Sequence, residues 1–336
     1  LKMNENNEKI EKIKLSKYLE KYVSQNIHYK DDLIKLIKVI TEATIPIRGL
    51  LERGITSREI SYRMDIPIPH GNSINIYDEQ QIHEDVLTHS IILKTLQEAN
   101  IDFAFIASEE AEPVLGNGKF GITIDPVDGS SNVAVNRTVG TIVGIYYEGK
   151  IFCSFYILYG IFTNLILAID EKVSEFILDL APYSPTFYHY VFHGWYSLPD
   201  REEGGIRAMG GDCKRWSSKC RNYQQLLIEK HFKDRYSGSF VSDFHAILYY
   251  GGIYSYFPSP QGKIRLYYEW VPLAFIIRTL GGEFLIIGEG VHLDEINNIE
   301  DVEPLTRENM NRNHTMTCGG LIGSKKVVEW FKKVNS

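Results

Sequence analysis

The 336-residue chain has few cysteines, no long basic block and no apolar leader at its start. The cysteines form no C-x-x-C pair, so we interpret them as reduced thiols; they are Cys153, Cys213, Cys220 and Cys318. Lys and Arg number 36 against 43 Asp and Glu, a net charge of −7, which argues against a nucleic-acid partner. The opening residues, rich in Lys, Glu and Asn, do not form a secretory signal, and we expect a cytoplasmic protein. The presence of a transit peptide ahead of Leu1 is left as an alternative.

One long apolar run, Phe152–Ile169, approaches the length that crosses a bilayer. Polar or small residues interrupt it at Ser154, Gly160, Thr163 and Asn164, and no Lys/Arg cluster flanks it. We therefore predict two buried strands joined by a turn at Gly160, and no membrane contact.

Helical and strand-like segments are mixed along the chain. Apolar spacing predicts helices over residues 31–53, 78–99, 221–232, 272–280 and 325–333. Apolar and β-branched runs predict strands over Phe103–Ala107, Phe120–Ile124, Val139–Tyr147, within 165–180, and over the alternating Lys263–Glu269. The stretch 181–205, which contains three prolines, is expected to be a loop. The mixture predicts a layered α/β, or α+β, sandwich, with an extension over 1–24 and domains over 25–200 and 201–336.

Acidic pairs follow two neighbouring apolar strands. Glu109 and Glu110 end the first, and Asp125 and Asp128 end the second, around Pro126. Because strand ends display functional side chains on a rigid sheet, these carboxylates can converge. Like charges held close repel unless a cation lies between them, and hard divalent cations such as Mg²⁺ or Mn²⁺ prefer oxygen ligands.

The segment Gly129–Asn132 follows the second acidic pair at once. Glycine allows close backbone approach, and successive N–H groups with serine hydroxyls form an anion pocket. Together, metal carboxylates and a phosphate pocket indicate metal-assisted phosphoryl hydrolysis. Taken alone, Asp128 would be better explained as a turn or helix cap and the Glu pair as a solvated strand end; the combination favours the site.

Five segments in order resemble the fructose-1,6-bisphosphatase family, part of a superfamily that also holds the inositol monophosphatases. They are Ser108–Glu110, the D-P-V-D-G-S-S-N run Asp125–Asn132, Val139–Tyr146, Arg235–Asp243 and the G-K-I-R-L-Y-Y-E-W-V-P run Gly262–Pro272. The resemblance implies the family fold of αβαβα layers. It also implies that the domain over 25–200 carries the metal carboxylates and the domain over 201–336 binds the sugar phosphate.

The resemblance further implies roles for individual residues. Two or three Mg²⁺ ions, for which Mn²⁺ can substitute, would be held by Glu109, Asp125, Asp128, Glu269 and the Val127 carbonyl. Glu110, with Asp85 and Glu79, would activate the attacking water. The cleaved phosphate would be bound by Gly129, Ser130 and Ser131. The sugar and its distal phosphate would be bound by Ser239, Tyr256, Lys263 and Tyr268. Arg235 would reach the site of a neighbouring subunit, which implies a homo-oligomer, a tetramer in this family.

The resemblance implies hydrolysis of the 1-phosphate of fructose 1,6-bisphosphate. The family's N-E-x-x-Y stretch for the distal phosphate is replaced here by Met209–Lys214, where Asp212 would repel a phosphate and Lys214 or Arg215 could attract one. Sedoheptulose 1,7-bisphosphate is therefore an alternative substrate. An inositol-type monophosphatase and a non-catalytic sugar-phosphate scaffold are further alternatives. Tyr147, in place of a family arginine, predicts weak or no inhibition by AMP.

Overall fold

The computed structural model describes residues 13–24, 29–53, 83–179, 188–257, 264–288, 295–310 and 316–335. Glu79 and Lys263 lie outside these ranges. The helices are α1 (Leu15–Tyr22), α2 (Lys30–Arg53), α3 (His83–Glu98), α4 (Ser218–Glu229), α5 (Phe240–Tyr250), α6 (Val271–Thr279) and α7 (Lys325–Lys333). A 3₁₀ turn spans Ser130–Val135, and a π-helical turn spans Leu266–Trp270.

The strands of the first half are β1 (Phe105–Ser108), β2 (Ala111–Leu115), β3 (Phe120–Asp128), β4 (Val139–Tyr147), β5 (Lys150–Tyr159), β6 (Thr163–Ile169), β7 (Lys172–Asp179) and β8 (His189–Trp195). They form an eight-stranded sheet in the order β2-β1-β3-β4-β5-β6-β7-β8. The β1–β3 pair is parallel, and the other pairs are antiparallel.

The second half forms a smaller mixed sheet. Its strands are β9 (Ile206–Gly210), β10 (Lys233–Asp234), β11 (Gly252–Tyr256), β12 (Ile264–Arg265), β13 (Glu283–Gly288) and β14 (Thr317–Gly323). They run in the order β10-β9-β11-β14-β12, and β13 also pairs with β14. Because β9 and β11 are parallel, with Gly210 beside Tyr256, their carboxyl ends meet at one edge.

Three apolar cores hold five layers together, and the second core encloses the middle helical layer, which confirms the predicted αβαβα sandwich. Helices α1, α2 and α3 pack on one face of the large sheet. The other face packs with α5 and α6 against one face of the small sheet, and α4 and α7 cover the last face. In β5, Phe155 and Ile157 face the first core while Tyr156 and Leu158 face the second. Because apolar cores lie on both faces of the large sheet, every position of β5 and β6 can be apolar, which explains the continuous hydrophobic run Phe152–Ile169.

The predicted pair of strands within Phe152–Ile169 is confirmed, since β5 and β6 are antiparallel neighbours. None of the helices in the described ranges combines the length and hydropathy needed to cross a membrane. Helix α1 lies within the predicted extension, and its Leu15, Tyr18 and Leu19 are buried in the first core.

Two local predictions are wrong. The expected loop 181–205 contains strand β8, because Tyr190 and Phe192 alternate into the core beneath the helices. The strand expected up to Glu269 ends at Arg265 within the described part of the chain. There the chain turns into the π-helical turn, where Glu269 Oε2 accepts a 2.6 Å hydrogen bond from the Arg265 N–H.

Candidate active site

Three carboxylates converge beside the end of β1. Strands β1 and β3 are parallel with Ser108 beside Ile124, so Glu109 and Asp125, the residues that follow, are neighbours. The π-helical turn brings Glu269 to the same place from the second half of the chain. One oxygen from each of Glu109, Asp125 and Glu269 lies within 4.8 Å of the others. The predicted convergence of carboxylates is present for these three residues.

The trio lies in a strongly negative environment. Burial raises the pKa of Asp125 well above its usual range, and Glu109 and Glu269 raise it further. Burial likewise raises the pKa of Glu269, with Glu109 as the next cause. The Arg265 Nε lies 3.4 Å from Glu109 Oε1, and the Arg265 charge opposes the rise in the pKa of Glu269. A hard divalent cation fits this donor set because it would supply the missing positive charge.

Asp128 has a different environment from the trio. The register of the β3–β4 pairing shifts between Asp125 and Asp128. Asp128 accepts hydrogen bonds from the Ser239 hydroxyl at 2.6 Å and from the Phe240 and Val241 N–H groups at 3.1 and 2.7 Å. Burial raises its pKa, and these hydrogen bonds oppose the rise. Asp128 thus caps a helix, and its role as a metal ligand stays a prediction.

Gly129 connects this cap to the predicted phosphate loop. Its φ of +82° is left-handed, and an added Cβ would lie 2.5 Å from the Ser239 Cβ. Both the backbone conformation and the close approach therefore require glycine. The 3₁₀ turn begins directly afterwards with Ser130 and Ser131, and Val127 before it is buried. These residues are contiguous beside the carboxylates, and their ligand roles remain predictions.

Two candidates for water activation, Asp85 and Glu110, lie within the described ranges. Asp85 lies near the start of α3, is buried, and is close enough to Asp125 to raise the pKa of that carboxyl. Glu110 directly follows Glu109 and is half-buried, and its N–H donates to Ser108 Oγ at 3.3 Å. Asp85 is therefore near the trio in space and Glu110 is next to it in sequence, and the water-activating roles of both remain predictions.

The predicted sugar-binding residues belong to the second half of the chain. Ser239 is the N-cap of α5, Tyr256 ends β11, and Tyr268 is buried in the π-helical turn beside Glu269. Arg235 is exposed, and its Nη1 donates to the Asp234 carbonyl at 2.8 Å. Ser239 contacts the predicted metal ligand Asp128, and Tyr268 directly precedes the predicted ligand Glu269. Arg235 instead lies at the surface.

The altered stretch after β9 has a distinct structure. An added Cβ on Gly210 would lie 2.6–2.7 Å from atoms of the Tyr236 ring, so the ring occupies the space that a side chain at position 210 would need. Asp212 caps the 3₁₀ turn Cys213–Arg215, and its Oδ2 lies 3.5 Å from Arg215 Nε. Asp212 is thus paired with a cation of its own turn.

Sequence reasoning missed Arg265 and Tyr236. Arg265 is buried and contacts Glu109, and it stands four residues before Glu269 in the G-K-I-R-L-Y-Y-E run. Its place between Lys263 and Glu269, two residues already assigned to the site, was the available signal. The packing of Tyr236 on Gly210 had no local signal because it joins separate segments.

The sequence matches two family models: "Fructose-1-6-bisphosphatase, N-terminal domain" over residues 64–188 and "Fructose-1-6-bisphosphatase, C-terminal domain" over residues 201–319. A "Fructose-1,6-bisphosphatase class 1" of Methanocorpusculum labreanum is 35% identical over 283 residues, 79% of this chain and 80% of the relative. The chain belongs to the fructose-1,6-bisphosphatase family. A class 1 relative from Methanospirillum hungatei is 29% identical over 331 residues, 94% of each chain.

Solved structures of the family share the fold. The T-state crystal structure of Leishmania major fructose-1,6-bisphosphatase has a TM-score of 0.75 at 23% identity, and covers 96% of this chain and 99% of its own. The holo form of the same protein has a TM-score of 0.74 at 22% identity, with the same coverage. The five-layer architecture is therefore that of the family.

Proposed function

We propose that this protein hydrolyses the 1-phosphate of fructose 1,6-bisphosphate to give fructose 6-phosphate and inorganic phosphate, as a magnesium-dependent enzyme of gluconeogenesis. The observation that carries the proposal is the convergence of Glu109, Asp125 and Glu269 beside the Gly129–Ser131 loop. The two archaeal relatives named for this activity, at 35% and 29% identity, support the substrate.

The metal would be held by Glu109, Asp125 and Glu269, with Asp128 and the Val127 carbonyl as further ligands. We propose two or three Mg²⁺ ions, for which Mn²⁺ can substitute. When bound, such ions polarise phosphoryl oxygens and lower the pKa of bound water. Burial keeps the carboxylates in a low dielectric, where their attraction to a cation is stronger than in water.

The chain's own groups then orient the reactants. Glu110 and Asp85, with Glu79 as a third candidate, would accept the proton of the attacking water. The backbone and hydroxyls of Gly129, Ser130 and Ser131 would hold the phosphate. The water oxygen bonds to phosphorus as the bond from phosphorus to the sugar oxygen breaks, and the sugar oxygen takes up a proton.

The rest of the substrate would lie toward the second half of the chain. Ser239, Tyr256, Tyr268 and Lys263 would contact the sugar and the distal phosphate. Arg235, which is exposed, would serve the site of a neighbouring subunit in a cytoplasmic homotetramer. Its guanidinium suits a phosphate because it offers a planar set of donors.

One observation favours sedoheptulose 1,7-bisphosphate as a second candidate. The Tyr236 ring fills the space beside Gly210, at the carboxyl end of β9 where the family's distal-phosphate stretch is altered. A changed distal pocket can shift the preferred sugar length without altering the metal centre. The intact acidic trio argues against a non-catalytic scaffold, and the Arg235–Asp243 segment argues against an inositol-type monophosphatase.

The test is phosphate release from both sugar bisphosphates in parallel, with Mg²⁺ and with EDTA. Asp125→Asn, which removes a charge from the trio, should abolish release, whereas Asp301→Asn, the same change at an exposed site, should not. The faster sugar identifies the substrate. If the wild type releases no phosphate from either sugar with Mg²⁺ present, the proposal is wrong.

A further inference from the structure

Carboxylates hold the loop Arg235–Ser239, which joins β10 to α5, at two points. At its end, Asp128 accepts hydrogen bonds from Ser239 and from the first N–H groups of α5. In its middle, the Ser237 N–H lies 3.1 and 3.0 Å from the two carboxylate oxygens of Asp243. Asp243 is only 2% exposed, so water competes little for this contact.

Backbone contacts complete the path of the loop. The Arg235 N–H donates to the Arg207 carbonyl of β9 at 3.0 Å, which ties the start of the loop to the small sheet. The Asp243 N–H donates to the Ser239 carbonyl at 3.1 Å. Asp243 therefore binds the end of the loop through its backbone and the middle through its side chain.

We propose that Asp243 is a positioning residue for the distal half of the substrate, because its carboxylate fixes the loop that presents Arg235 and Ser239. This inference rests on the proposed function, which assigns those two residues to the sugar and distal phosphate. The hydrogen bonds of Asp243 run to Ser237 and Ser239, so its effect on substrate binding passes through the loop.

Asp243→Asn tests the inference with almost no change in volume. Both carboxylate oxygens face one N–H, so the amide would place an NH₂ donor against the Ser237 donor. KM for fructose 1,6-bisphosphate should rise about tenfold or more, the scale for losing a hydrogen bond to a charged group. Turnover should change little. Hydrolysis of fructose 1-phosphate, which has no distal phosphate, should keep its kcat/KM.

Two comparisons separate positioning from general damage. If Asp243 acts through Arg235, adding Asp243→Asn to an Arg235→Gln variant should raise KM little further, because the guanidinium that Asp243 would position is already gone. Ser237→Ala removes the hydroxyl that accepts from the Ser239 N–H at 3.3 Å but keeps the Ser237 N–H. This milder variant should raise KM in the same direction by a smaller factor. Asp301→Asn again serves as the matched surface control.

Amide hydrogen exchange of the loop is measured alongside, since it requires no turnover. Faster exchange over residues 235–239 in Asp243→Asn, with the raised KM, supports the inference. Unchanged loop exchange overturns it, as does an equal loss of kcat on both substrates or a variant that does not fold. A wild type inactive on bisphosphates contradicts the proposed function instead, and the exchange result still decides whether Asp243 orders the loop.

Discussion

Gly129→Ala is the sharpest single test of how the two halves of the chain meet. Gly129 has a φ of +82°, and an added Cβ would lie 2.5 Å from the Ser239 Cβ and 3.0 Å from its Cα. The left-handed backbone costs an L-residue about 1–2 kcal/mol. The overpacking against Ser239 costs about 1–3 kcal/mol more. The variant should therefore lose about 2–5 kcal/mol of unfolding free energy.

Gly204→Ala separates these two costs. Gly204 has a similar φ of +70°, but an added Cβ would meet nothing within 4 Å. This variant should therefore lose only the backbone contribution of about 1–2 kcal/mol. The difference between the variants measures the contact between the Asp128–Gly129 turn and the start of α5.

The assay is urea unfolding of both variants at one protein concentration, with phosphate release beside it. Gly129→Ala should also lose activity, because the added methyl group pushes Asp128 away from the hydroxyl and the two N–H groups that donate to its carboxylate. Equal unfolding free energies for the two variants, or full activity in Gly129→Ala, would refute the reasoning.

Three further predictions concern other parts of the molecule. Burial lowers the pKa of His245 from 6.5 to about 4, so between these pH values the imidazole binds a proton in the unfolded state only. The free energy of unfolding therefore decreases as the pH is lowered through this range. In urea titrations, the difference in unfolding free energy between wild type and His245→Gln should shrink by about 2 kcal/mol from pH 7 to pH 5. A constant gap contradicts this. Arg265→Met removes the guanidinium that lies 3.4 Å from Glu109. In EDTA the variant should lose about 3 kcal/mol of unfolding free energy, and Mg²⁺ should restore part of it. Equal melting temperatures of variant and wild type in EDTA would contradict this prediction. AMP should inhibit weakly or not at all, because Tyr147 stands where the resemblance places an arginine; strong inhibition in a titration disproves this.

The sequence by itself determined the local parts of the site. Glu109 and Asp125 could be placed together because each directly follows an apolar strand, and strand ends meet at a sheet edge. Helix α2 and strand β4 follow from their apolar spacing, which depends only on neighbouring residues. The five-layer fold and the arrival of Glu269 were expected only through resemblance to the family.

Tertiary structure alone decided which contacts each acid makes. Asp125 and Asp128 lie on either side of a register shift in the β3–β4 pairing. Asp125 joins Glu109 and Glu269, whereas Asp128 caps α5 and still lies close enough to raise the pKa of Asp125 and Glu269. Strand β8 was missed because three prolines lie in the surrounding stretch 181–205, and because the burial of Tyr190 depends on the helices that pack over the strand. The physical reason is the same in both cases. The partners come from distant segments, so the free energy that selects each conformation is absent from any local stretch of sequence.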